Sequence, residues 1–172
     1  MPSALIKLPI NPVIDSNVLF DFLLWRFCVE TKIRFPGCIS DTPAENDTMR
    51  ALYWYLEKAK PIHTSPHVIA EIHGLVKARA HWHGPKLSAF WRFAQKELTR
   101  LMLDEHLIKL VKMHPEDLAE FGPTDDSILE LAAQTGGAVV TGEGDLRGRL
   151  TKDQIRVLDR YDILAVWQGR NT

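Results

Sequence analysis

Between Pro123 and Leu146 the chain spells out one complete helix-to-strand unit, PTDDSILELAAQTGGAVVTGEGDL, and no other stretch restricts the fold as tightly. Thr124 is placed to cap a helix with its hydroxyl. Asp125 and Asp126 fall in the first turn, where the positive end of the helix dipole favours carboxylates. Ile128, Leu129, Ala132 and Ala133 recur at helical spacing and make one apolar face. Gly136 and Gly137 end the helix, Ala138 to Val140 is a short apolar run of strand type, and Thr141 leads into Gly142-Glu143-Gly144-Asp145. Carboxylates therefore stand at the head of the helix and just past the carboxyl end of the strand. In a doubly wound sheet, ligands bind at that edge.

The rest of the chain supplies more units of this kind. Val13 to Asn17 reads as a short buried strand ending in a polar turn, followed by an apolar helix from Val18 to Phe27. Arg34 to Asp47 is the longest loop candidate, a flap or insertion. Glu45 to Ala59 is helical, and Lys60 to Thr64 is a short strand. Ser65 and Pro66 give a strong helix start, with Glu71 in the second turn beside a stripe of Ile69, Ile72, Leu75 and Val76. Leu87 to Leu103 follows as a long helix. Its outer face carries Lys86, Arg92, Lys96 and Arg100, by default a solvated face and in the sharper reading an RNA-facing stripe. Leu107 to Val111 reads as a strand, Pro115 to Phe121 as a short helix, Leu146 to Leu150 as a helical turn and Ile155 to Leu158 as a last strand. Tyr161 to Trp167 is a closing element of either type. Strands alternating with helices imply an α/β fold, a mostly parallel sheet covered on both faces.

A chain of 172 residues suits one domain, and 45% hydrophobic with 25% charged residues are ordinary globular values that argue against disorder. No apolar run approaches the ~20 residues of a membrane span, and the N-terminus lacks a secretory pattern. Cys28 and Cys38 read as reduced thiols, so the expected location is cytoplasmic. A net charge of −1 gives no bulk attraction for nucleic acid. That argument loses its force where acids gather around a cation, which leaves basic residues to act on phosphates.

Four groups of acids fall at comparable places: Asp15 after the first strand, Glu71 in a helix following a strand, Asp125 and Asp126 at a helix start, and Glu143 and Asp145 after a strand. Parallel winding brings these ends to one edge. Two carboxylates ~4 Å apart repel by ~4 kcal/mol at an effective dielectric of ~20. A converging set of four therefore holds protons or binds a hard cation, Mg²⁺ or Mn²⁺. A site of that kind acidifies water and stabilises charge at phosphorus.

VIDSNVLFDFL from Val13, SPHVIAEI from Ser65, PTDDSILELAA from Pro123 and VVTGEGDL from Val139 resemble, in order and separation, the four acidic motifs of PIN-domain nucleases. The resemblance runs from Val13 to about Leu158. It implies a three-layer α/β/α sandwich with a five-stranded parallel sheet and Mg²⁺- or Mn²⁺-dependent cleavage of single-stranded RNA. Many small members are toxins paired with an antitoxin protein, and homodimers are common. By motif, Asp15, Glu71 and Asp125 match the first three acids. Asp126 is a neighbouring support. In the fourth motif Glu143 stands where the family has aspartate, which leaves open whether Glu143 or Asp145 is the fourth acid. The resemblance makes Asp15, Asp125 and Asp145 metal ligands and assigns supporting roles to Asn17 and Thr141. Arg147 and Arg149, which closely follow the acidic loop, are the candidates for phosphate contact.

Three other readings compete. A PIN-like module that binds RNA or protein without cutting is kept open by Glu143. An aspartyl-phosphate transferase is disfavoured because Asn17 stands where such enzymes carry a second aspartate. A zinc site on the helices is disfavoured too: there is no HExxH pattern, and His67 and His73 lie six apart on different helix faces. His67, His73, His81 and His83 read as scattered surface and core residues.

Overall fold

A computed structural model describes residues 8–101, 103–106 and 115–170. The described elements are β1 (Val13–Ile14), α1 (Ser16–Thr31), α2 (Pro43–Ala59), β2 (His63–Thr64), α3 (Pro66–Arg79), α4 (Gly84–Arg100), β3 (Asp104–Glu105), α5 (Pro115–Thr135), β4 (Val139–Val140), α6 (Gly144–Lys152), β5 (Val157–Leu158) and α7 (Arg160–Gln168). All strand pairs are parallel, in the order β3-β2-β1-β4-β5. The expected α/β/α sandwich with a five-stranded parallel sheet is the one observed. From β1 the chain winds outward through β2 and β3, then returns to add β4 and β5 on the other side. The switch point lies between β1 and β4.

Register decides which side chains share a face. Val13 pairs with His63 and with Val139, and His63 pairs with Asp104. Parallel partners point the same way and alternate residues share a face. Val13, Asp15, His63, Ser65, Asp104, His106, Val139 and Thr141 therefore project from one side. α5 covers that side, packing against β1, and joins its Ser127 Oγ to Ser65 Oγ at 2.7 Å. α1 anchors the other layer, in contact with α2, α3 and α4, while α7 lies against α2.

α1 is apolar over most of its circumference. Val18, Leu19, Phe20, Phe22, Leu23, Leu24, Trp25, Phe27 and Cys28 are all buried, the pattern of a helix enclosed on most sides. Phe27 meets Trp82 and Phe90 edge-on, with ring centroids 5.3 and 5.8 Å apart, and burying each such side chain contributes roughly 1.5–3 kcal/mol. Buried apolar side chains from both layers form one contiguous core. Burial lifts the Cys28 thiol to about 11, which keeps it inert. No helix among the described residues is long and apolar enough to cross a membrane.

Several boundaries differ from the sequence reading. α1 begins at Ser16 rather than Val18 and runs on to Thr31, because Asp15 takes the extended N-cap position and its carbonyl accepts from the Leu19 N–H at 2.9 Å. Ser16 and Asn17 are thus first-turn helical residues. α2 starts at Pro43, capped by Thr42, so the last five residues of the expected 34–47 loop are helix. α4 spans Gly84–Arg100, three residues earlier at each end than expected. α5 is broken at Gly122 (φ 81°, ψ 173°), a conformation that glycine tolerates, with Pro123 opening the second half. Thr124 therefore lies inside the helix and does not cap it. Gly136 ends α5 with φ 63°, and a Cβ at Gly137 would stand 2.9 Å from the Asn11 carbonyl oxygen. α7, capped by an Asp159–Asp162 box, settles the closing element as helix. The strand expected at Leu107 to Val111 falls outside the described residues, and the third strand is Asp104–Glu105.

Candidate functional site

Asp15 leaves β1 at the switch point with 0% exposure. Its two carboxylate oxygens are held separately. Ser16 Oγ donates to Oδ1 at 3.1 Å, and Thr141 Oγ1, leaving the adjacent β4, donates to Oδ2 at 2.8 Å. The same Thr141 oxygen accepts from the Glu143 N–H at 3.1 Å, which folds the loop back toward β1. Glu143 Oε1 then accepts from Asn17 Nδ2 at 2.6 Å, and Asn17 Oδ1 accepts from Arg79 Nη1 at 3.2 Å. One chain of hydrogen bonds thus ties the first and fourth acidic motifs and the end of α3 together across the switch point.

The charges couple as well. Burial is the largest influence on Asp15 and pushes its carboxyl up, opposed by the Thr141 and Ser16 hydrogen bonds and reinforced by Glu71. Asp125 is pushed up to about 7, first by burial and then by Glu143, Asp15 and Glu71. Burial also raises Glu143, with Asp15, Glu71 and Asp145 adding to it and the Asn17 hydrogen bond opposing. Asp15, Glu71, Asp125 and Glu143, from four separate elements, therefore feel one another's field. Glu71 Oε2 is buried with no hydrogen-bond partner, as is Nδ1 of His67 one helical turn earlier. An orphaned buried acceptor costs about 1–3 kcal/mol. An all-oxygen donor set, short of positive charge and holding a spare buried lone pair, fits a hard divalent cation.

Other sequence-predicted residues sit further out. Asp145 is exposed in the first turn of α6, and its charge acts on Glu143 but is absent from the influences on Asp15 and Asp125. Asp126 is buried yet lines a different cleft, with Leu129, Glu130, Arg149 and Asp153, because successive helical positions point about 100° apart. Arg147 pairs with Asp159 at 3.3 Å and Arg149 with Asp153 at 2.9 Å. Both guanidiniums are engaged by carboxylates of their own neighbourhood.

Arg79 and Asp21 escaped the sequence reading. Arg79, the last residue of α3, reaches Asn17 as described. Asp21 is raised by burial, with Arg79 and then Arg160 opposing and Glu45 and Asp15 adding. Asp21, Arg79, Glu45 and Arg160 line a cleft of about 210 Å³ beside the acids. The Asn17/Asp21 spacing of i, i+4 was the available signal for Asp21. Arg79 had none, since only the packing of α3 on α1 brings it there.

A second constellation also went unread. His63 Nδ1 lies 2.9 Å from His106 Nε2 and 3.6 Å from Asp104 Oδ2, and the last two atoms are 3.1 Å apart. Among the described residues this is the one trio of His, Cys, Asp or Glu whose ligating atoms all lie within 4.8 Å of one another. His67, His73, His81 and His83, on and beside α3, take no part in it. The signal lay in the strands, where Asp104-x-His106 places two ligands on one face.

No protein-family model matches this chain, and no curated protein matches it.

Proposed function

We propose that the chain is a metal-dependent endoribonuclease that hydrolyses phosphodiester bonds in single-stranded RNA, in the manner of the PIN-domain nucleases its motifs resemble. The observation that carries this reading is the electrostatic coupling of Asp15, Glu71, Asp125 and Glu143 beside the β1/β4 switch point, with Asp125 driven to about 7 by burial and then by the other three. Asp15 and Asp125 would hold the cation, Glu71 and Glu143 would complete the acidic wall, and Asp145 would stand at its rim. When bound, Mg²⁺ or Mn²⁺ supplies positive charge against the phosphate and acidifies a water for attack on phosphorus.

The protein's own groups do the positioning. Thr141 and Ser16 fix the plane of the Asp15 carboxylate, so its orientation is set before substrate arrives. Asn17 holds Arg79 at the open side of the site. Arg79 is exposed, and a guanidinium is suited to two phosphate oxygens at once. Glu71 Oε2 is the acceptor left without a proton donor, and it serves to orient and deprotonate the attacking water.

The test is cleavage of an end-labelled single-stranded RNA with Mn²⁺ or Mg²⁺, comparing wild type with Asp15→Asn and Asp125→Asn. Cutting that disappears with EDTA and in both variants supports the assignment. Cutting that survives Asp15→Asn sinks it. Binding of RNA without cutting, on several unrelated substrates, transfers the reading to a non-catalytic module.

A further inference from the structure

We propose that His63, Asp104 and His106 form a second cation site, selective for a borderline transition-metal ion with zinc foremost. Three observations carry this: the geometry of the ligating atoms, their proton count and their placement on the sheet.

The three atoms are 2.9, 3.1 and 3.6 Å apart. Ligands of a tetrahedral zinc ion, at bonds of roughly 2.0–2.1 Å, stand about 3.3 Å from one another. The observed spacings bracket that edge length. Hydrogen bonding alone serves the trio poorly. With neutral imidazoles at most one proton lies between the two nitrogens, and the carboxylate brings none. If His106 Nε2–H donates to the Asp104 carboxylate, His63 Nδ1 is left facing two atoms with no proton to offer it. A cation engages all three lone pairs together.

Placement follows from strand pairing. His63 and Asp104 are register partners across β2 and β3, and the His106 N–H continues the ladder to the Thr64 carbonyl oxygen at 2.9 Å. All three side chains therefore leave the same face by construction. His63 is buried, His106 half-buried and Asp104 exposed, so a fourth coordination position opens toward solvent. Two imidazoles and one carboxylate favour zinc, cobalt or nickel over magnesium, whereas the all-oxygen site at the switch point has the reverse preference. An ion here would also fasten the edge strand β3 to β2 independently of the backbone.

The experiment uses the tag-free full chain, stripped with EDTA and titrated with Co²⁺ and then Zn²⁺. One equivalent of Co²⁺ is expected to give the visible d–d bands of a four-coordinate nitrogen-and-oxygen site, bleached by one equivalent of Zn²⁺. His106→Ala and Asp104→Asn, both on the solvent side, each weaken binding at least about tenfold. The Asp15→Asn/Asp125→Asn double variant leaves it within about twofold. Zinc raises the Tm of wild type and not of His106→Ala. Absence of cobalt bands, bands of unchanged affinity in both cluster variants, or bands lost in the double variant would overturn the assignment.

Discussion

At the β1/β4 edge the converging groups come from four elements distant in the chain and offer only oxygen. At the β2/β3 edge three groups come from two paired strands, and two of them are imidazoles. The consequence is electrostatic. Neutral imidazoles can stand 2.9 Å apart with no counter-ion, so the histidine cluster is compact as it is. Carboxylates cannot, and at the acidic edge the pKa values of Asp15, Asp125 and Glu143 are raised by burial and then by neighbouring carboxylates. On the readings proposed above, a cation would serve the first region by balancing charge and the second by engaging lone pairs, so hard ions would suit the first and borderline ions the second.

The largest effect that would separate the two regions is expected from Asp125→Asn. It should lower Mn²⁺-dependent RNA cleavage by more than about 100-fold while leaving cobalt absorption at the histidine cluster intact. Loss of both together would show one site rather than two. Next comes the choice of fourth acid. Glu143→Gln should cost about tenfold or more in cleavage, and Asp145→Asn less than about threefold, since only Glu143 is bonded to Asn17 and coupled to Asp125; the reverse ranking would move the wall outward to the α6 rim. Arg79→Ala should raise KM about three- to tenfold with a smaller change in kcat. Arg147→Ala and Arg149→Ala should stay within about twofold, because both side chains are already paired with carboxylates. An equal loss in all three would return the α6 arginines to the phosphate path.

The smallest effect is on stability. The carboxyl of Asp125 rises from 3.8 to about 7 on folding, so over that window the folded chain keeps a proton that the unfolded chain has released. The stability this contributes is whole below about pH 4 and lost as the pH rises through about 7. Metal-free Asp125→Asn should therefore melt on the order of 2–4 °C above wild type at pH 8, with the gap closing toward pH 5. Calorimetry in EDTA checks this, and a gap that is constant with pH would remove the electrostatic explanation.

Much of this frame was legible from local signals. Ser65 does accept from the Val68 N–H, at 3.4 Å, Gly136 does stop α5, and Asp15 and Glu143 do follow strand ends. What was hidden depends on tertiary pairing. Asp104-Glu105 has neither apolar alternation nor β-branched residues, and becomes a strand because its neighbour β2 offers the carbonyls of Ile62 and Thr64. Asp125 and Asp126 are neighbours in sequence, the first matching the third acid and the second a support, and one helical step sends Asp125 to the acids and Asp126 to the cleft beside Arg149. The apolar run from Val18 announced a helix but not its start. Asp15 serves as N-cap and site residue at once, so the polar turn expected after it is already the first turn of α1.

That double duty has a dynamic consequence. The amides in the deeply buried part of α1 exchange with solvent hydrogen only when the whole domain opens. The Asp15 carbonyl closes the first bond of α1, which places this carboxylate at the end of what should be the slowest-exchanging segment of the chain. Arg79, Glu143 and Asp145 sit instead where α3 ends and α6 begins, at helix ends that fray. Deuterium uptake should accordingly divide the site into a floor that does not yield and a rim that opens on its own.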